Sequence, residues 1–110
     1  MRYTPNQGDI IMMDFDPKKG PGQKGRRPAL LESNNVFNQY SKLAMVCPIK
    51  NSYKAHVFHI PLGNDTKTTG VFLCDQTRAL DVIARNADYV ECVSDDVLDR
   101  VIDMVCSFVE

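Results

Sequence analysis

With 110 residues, the chain has room for one domain built around one hydrophobic core. Hydrophobic residues make up 44% and charged ones 25%, a balance that excludes intrinsic disorder. A net charge of −1 and a pI near 6.1 exclude nucleic-acid binding by bulk electrostatics, so any such binding must use a local patch.

Taken in chain order, the pattern predicts short strands followed by a helix. The N-terminal residues 1–7 lack the apolar stretch of a secretory leader, and no apolar run approaches membrane length, so a cytoplasmic protein without a membrane segment is expected. A turn at 6–8 leads into a strand over Gly8–Phe15. Residues 16–26 form a loop marked by Asp16-Pro17, Gly20-Pro21-Gly22 and Gly25. Lys18, Lys19, Lys24, Arg26 and Arg27 concentrate positive charge there, far from the acidic Asp95, Asp96, Asp99 and Asp103.

Pro28 then marks the mouth of a buried strand over Ala29–Ser33, broken by Asn34-Asn35 and followed by a polar connection at 38–42. Further strands are expected over Leu43–Ile49, His56–Leu62, Gly70–Asp75, Arg78–Ile83 and Tyr89–Val93. From Val97 the period changes. Val97, Leu98, Val101, Ile102, Val105, Phe108 and Val109 recur at three- and four-residue steps, and Ser94 precedes them as an N-cap with Asp95 and Asp96 in the first turn. The fold class is mainly β with a C-terminal helix, a small and partly open β-barrel in a single domain spanning 1–110.

The candidate chemistry centres on Gly25-Arg26-Arg27-Pro28. Pro28 biases Arg27 to an extended conformation at a strand edge, where its planar fork of donors matches a phosphate. The Gly-rich stretch 20–25 lacks the spacing of a nucleotide-binding P-loop; it reads as a lid beside Arg27 or as a plain connection. Placed on one strand, His56 and His59 would face opposite sides of the sheet and could not act together. No thiol or carboxylate cluster has metal-ligand spacing, so neither a metal nor another cofactor is expected. The four cysteines, Cys47, Cys74, Cys92 and Cys106, sit in apolar stretches and read as buried free thiols. Glu32 lies inside an apolar strand, where a carboxylate is costly unless paired.

Gly8-Asp9-Ile10-Ile11-Met12-Met13-Asp14-Phe15-Asp16-Pro17 followed by Gly25-Arg26-Arg27-Pro28-Ala29 resembles the opening of the MazF/PemK/Kid toxins of bacterial toxin–antitoxin modules. The similarity continues through Phe37-Asn38, Val46-Cys47-Pro48-Ile49, Thr69-Gly70-Val71, the run from Cys74 to Asp81, and Ala84-Arg85. It implies an SH3-like barrel that acts as a homodimer, cleaves single-stranded RNA at short sequences and is silenced by a cognate antitoxin protein.

The resemblance also implies roles for residues. Arg27 matches the catalytic arginine of the MazF branch, and Asp75 matches the base of the Kid branch, although a carboxylate there could equally form a turn or pair with Arg78. Lys50 stands where relatives carry a threonine, so a cation replaces a hydroxyl donor, and Leu73 replaces the Kid-type arginine. In the lid only Gln23 matches. Gln23, Lys24, Asn51, Gln76 and Arg78 are the expected RNA contacts. An attenuated toxin that only binds RNA or antitoxin, and a gyrase poison of the CcdB type, are the alternatives that this pattern leaves.

Overall fold

The computed structural model of the protein describes residues 3–15, 25–52 and 54–110. Of the loop expected over 16–26, residues 16–24, with Gln23 and Lys24, lie outside them. The elements are β1 Asp9–Asp14, β2 Arg26–Leu31, α1 Asn35–Tyr40, β3 Ala44–Lys50, β4 His59–Pro61 and β5 Val71–Leu73. A 3-10 turn at Cys74–Gln76 follows, then β6 Arg78–Leu80, β7 Asp88–Cys92 and α2 Asp95–Ser107.

All strand pairs are antiparallel. Among the described residues, seven strands form one sheet in the order β4-β5-β3-β2-β1-β7, with β6 also paired to β3. The sheet is not closed: among the described residues β4 and β7 end the main path, and β6 is a further edge paired on one side only. The mainly-β class with a C-terminal helix therefore holds, and the partly open barrel is an unclosed sheet.

Side-chain alternation sends two apolar sets to the two faces. Ile10, Leu30, Cys47, Ile49, Ile60, Phe72 and Cys74 pack with Val93 and Val101 on one. Ile11, Met13, Ala29, Leu31, Ala44 and Val46 pack with Val82 and Ala87 on the other. Helix α2 covers the first face, with Val101 fully buried and Val97, Leu98 and Val105 packed around it. The Ser94 hydroxyl accepts from the Val97 N–H at 3.3 Å, as its place before the apolar stripe predicts. The stripe itself runs out early. Phe108 caps the helix and Val109 lies beyond it, 86% exposed.

Several expected boundaries shift for physical reasons. Strand β2 begins at Arg26, so Pro28 lies inside it and not at its mouth. It pairs with β1 from Arg26 onward but with β3 only from Ala29, which leaves Pro28 on a locally open edge that tolerates a missing N–H. Pro48 falls in a comparable gap. The β3 edge pairs with β6 at Ala44–Val46 and with β5 at Ile49–Lys50, and the 3-10 turn joins those two partners.

Asn34 does end a strand, but it also starts α1, because its side chain accepts from the Phe37 N–H at 2.9 Å. The polar connection expected at 38–42 is in part this helix. Of the cysteines, Cys47 and Cys74 are buried as expected, whereas Cys92 and Cys106 are exposed.

Candidate active site

Strand register decides which cations share a face. Arg27 lies opposite Met13, and Met13 belongs to the second apolar set, so the Arg27 side chain is on that face. Lys50 follows Val46 and Pro48 in alternation on β3 and faces the same way. Arg78 opposes Val46 and joins them. All three are exposed. Among the described residues, the ion pairs are Arg26–Asp14, Arg26–Asp88 and His59–Asp75, so these three cations form none.

Arg26, one residue earlier, has the opposite fate. It bonds the Asp14 carboxylate at 3.3 Å, the Asp88 carboxylate at 2.6 Å and the Asn86 carbonyl at 2.9 Å. The Asn86 amide and the Arg26 guanidinium hold the Asp14 carboxyl below its usual range. Asn86 adopts a left-handed φ of 59° to make this corner. Arg26 thus clamps β1, β2 and the residues before β7, and leaves Arg27 to face outward.

Around Phe15 the second face is further organised. The Arg78 guanidinium lies 5.5 Å over the Phe15 ring, a cation–π arrangement. Arg85, in the last stretch of the sequence resemblance, donates to the Phe15 carbonyl at 2.8 Å and the Asp14 carbonyl at 3.2 Å. It fixes the point where β1 enters the 16–24 segment. Sequence reasoning gave Arg85 no role, since nothing in spacing marks a side chain that bonds only to backbone.

Asp75 sits in the 3-10 turn and is exposed, with its Oδ1 3.0 Å from His59 Nε2. Both alternatives for it are therefore half met: it is in a turn, and it has a partner, but the partner is His59 and not Arg78. No ion pair among the described residues joins Asp75 to Arg27 or Lys50. Gln76 is exposed beside it. Asn51 is exposed after β3, with its Oδ1 3.5 Å from the Thr69 hydroxyl.

The histidine expectation fails. His56 and His59 do not lie on one strand, because β4 begins at His59 and a turn carries residues 57–58. The His59 N–H donates to the His56 carbonyl at 3.1 Å, and the two rings stack with centroids 4.2 Å apart and an interplanar angle of 23°. Three-residue spacing separates faces on a strand but brings residues together across a turn. Phe58 sets its ring edge-on to Phe108, the C-cap of α2, at 5.0 Å, which anchors the turn. Among the described residues, no three His, Cys, Asp or Glu side chains are grouped to hold a metal ion.

Glu32 is buried at the end of β2, where the Thr77 hydroxyl donates to its Oε1 at 3.1 Å. Burial pushes its carboxyl up to about 7, against the pull of that hydrogen bond. The expected cost of a carboxylate inside an apolar strand is thus met by one hydroxyl and a raised pKa. The pairing also ties β2 to the residue after Gln76.

Residues 6–109 match the family model of PemK-like, MazF-like toxins of type II toxin–antitoxin systems. The chain is similar to an endoribonuclease toxin MazF of Escherichia coli (strain K12), at 36% identity over 86 residues that cover 78% of this chain and 77% of the relative. It is similar also to an endoribonuclease toxin ChpB of the same strain, at 34% identity, covering 94% and 93%. Among solved structures, a MazE–MazF crystal structure (Form-III) from Deinococcus radiodurans superposes with a TM-score of 0.85 at 32% identity over 96% of each chain.

Proposed function

This chain belongs to the PemK-like, MazF-like toxins of type II toxin–antitoxin systems, and from that premise we propose an endoribonuclease that cuts single-stranded RNA at short sequences without a metal. One observation carries the reading: Arg27, Lys50 and Arg78 lie on the same side of the sheet as exposed cations with no ion-pair partner among the described residues. Such a face is a local anion site on a chain whose net charge is −1.

Metal-free cleavage needs the 2′-hydroxyl to lose a proton, the phosphorane charge to be stabilised and the 5′-oxygen to gain a proton. Arg27 offers its fork of donors to the phosphorane oxygens. Lys50 adds a second positive charge beside the same phosphate. Asp75 is the candidate base, and Asn51, Gln76 and Arg78, with Gln23 and Lys24, hold the strand. Attack of O2′ on phosphorus with loss of O5′ leaves a 2′,3′-cyclic phosphate.

We place the whole chain in one domain that works as a homodimer in the cytoplasm, with an antitoxin protein as its inhibitor. Among the described residues, no helix is long and apolar enough to cross a membrane. The test is incubation of purified protein with end-labelled single-stranded RNA in excess chelator. Discrete cuts with cyclic-phosphate ends are expected. Cutting that stops in chelator and returns with divalent ions overturns the mechanism, and intact RNA overturns the activity.

A further inference from the structure

A cavity of about 450 Å³ opens between the segment at 54–59 and strands β4 and β5. Lys54, His56, His59, Asn64 and Thr69 line it above a floor that includes Pro61 and Val71, and among the described residues no carboxylate lines it. This size is in the range of small-ligand sites. Its chemistry is that of a flat, polar-edged anion: stacked imidazoles, an apolar floor, an amide, a hydroxyl and one ammonium.

Register ties this cavity to the cation face. Lys50 opposes Val71, Val71 opposes Pro61, and His59 opposes Leu73. By alternation Arg27, Lys50, Val71, Pro61 and His59 all lie on one face of the sheet. Two strand spacings and two residue steps separate His59 from Lys50, roughly 12 Å along the sheet. One RNA strand can reach both.

We propose that this cavity is a nucleotide subsite in which a base flanking the cut stacks on the His56–His59 pair, with Lys54 on a neighbouring phosphate. Imidazole planes are stacking platforms for unpaired bases. The pair is held from two sides: Asp75 fixes His59 through Nε2, and the Phe58–Phe108 contact fixes the turn that carries His56. Asp75 engages Nε2 of His59, which leaves the other ring nitrogen, Nδ1, for a base edge. Beside its proposed role as base, Asp75 then also positions His59 for recognition through Oδ1. Asn64 and Thr69 supply the remaining donors and acceptors at the cavity wall.

The subsite rests on the reading of this chain as an RNA-cutting enzyme, and two measurements separate their failures. In the first, the parent protein is titrated with 5′-AMP, 5′-CMP, 5′-GMP and 5′-UMP while the His56 and His59 ring protons are followed by NMR. Saturable shifts with at least one nucleotide, reduced by Lys54→Ala, are expected. Shifts no larger than those given by inorganic phosphate overturn the subsite.

In the second, a randomised RNA pool is cut by the parent, His56→Ala and His59→Ala, and the cut sites are sequenced. Both variants are expected to lose base preference at one position beside the cut and to raise KM by roughly 10-fold. An unchanged preference at every position overturns the subsite even where cleavage stands. Nucleotide shifts on a protein that leaves the pool uncut uphold the site and overturn the endoribonuclease reading.

Discussion

Arg26 and Arg27 are adjacent, identical in chemistry and opposite in use. Strand alternation sends one to the Asp14–Asp88–Asn86 clamp and the other to the open cation face. Arg27→Ala should therefore lower RNA cleavage by ~10²–10³ while leaving the melting temperature near that of the parent. Arg26→Ala should lower the melting temperature, because it leaves Asp14 and Asp88 without their guanidinium. Equal activity losses for both variants, measured on one labelled RNA, would contradict this division.

Lys50 is a second cation on the Arg27 face. Replacing it by threonine puts there the short hydroxyl donor that the family resemblance implies, and removes a like charge from the face that carries Arg27. Turnover of Lys50→Thr should rise above the parent's while RNA affinity falls. A variant no faster than the parent takes Lys50 out of the mechanism. That Arg26 and Arg27 face opposite ways was legible in the sequence, since it needs only period-2 counting along one strand, whereas the face shared by Arg27 and Lys50 needed the register between strands. The His59–Asp75 contact was not legible, because it depends on a turn that no periodicity announces.

Among the elements, the 3-10 turn and the end of β2 are coupled through Glu32 and Thr77. The Glu32 carboxyl lies near 7 in the folded protein, above the usual 4.5, so folding favours its protonated form. Its contribution to stability is complete below about pH 4.5 and is lost as pH rises through 7, ~3 kcal/mol in all. Glu32→Gln removes that titration. Thermal melts should show the variant more stable than the parent at pH 8, with the difference shrinking toward pH 5. A pH-independent difference would mean that Glu32 is not the group responsible.

Gly70 governs the junction of β3 and β5. Its φ of +122° suits glycine alone, and an added Cβ would stand 2.2 Å from the Lys50 carbonyl oxygen. Gly70→Ala should cost ~2 kcal/mol or more and disturb the backbone of Lys50 and Asn51. An unchanged melting temperature would show that the junction yields. The sequence marked most strands and the helix cap correctly, but not their ends. Local rules make Pro28 and Asn34 punctuation, whereas pairing on one side only and a side-chain cap let elements run through or start at them.

For the whole molecule, the proposed assembly is the part that one chain does not contain. Light scattering at micromolar concentration should give a dimer, and an acidic peptide from the antitoxin should bind with an affinity that falls as salt rises. A monomer, or salt-independent binding, would count against that assembly. The sheet also constrains what can be added to it. At one end β4 has only three residues, His59–Pro61, and its last is a proline with no N–H to offer. Short length and proline are both means of discouraging an incoming strand. At the other end β7 runs for five residues, and Tyr89 and Val90 on it are exposed. The sheet is therefore polar in its capacity to grow: a peptide that lengthens it by backbone pairing has its longer template at β7, the side away from His59.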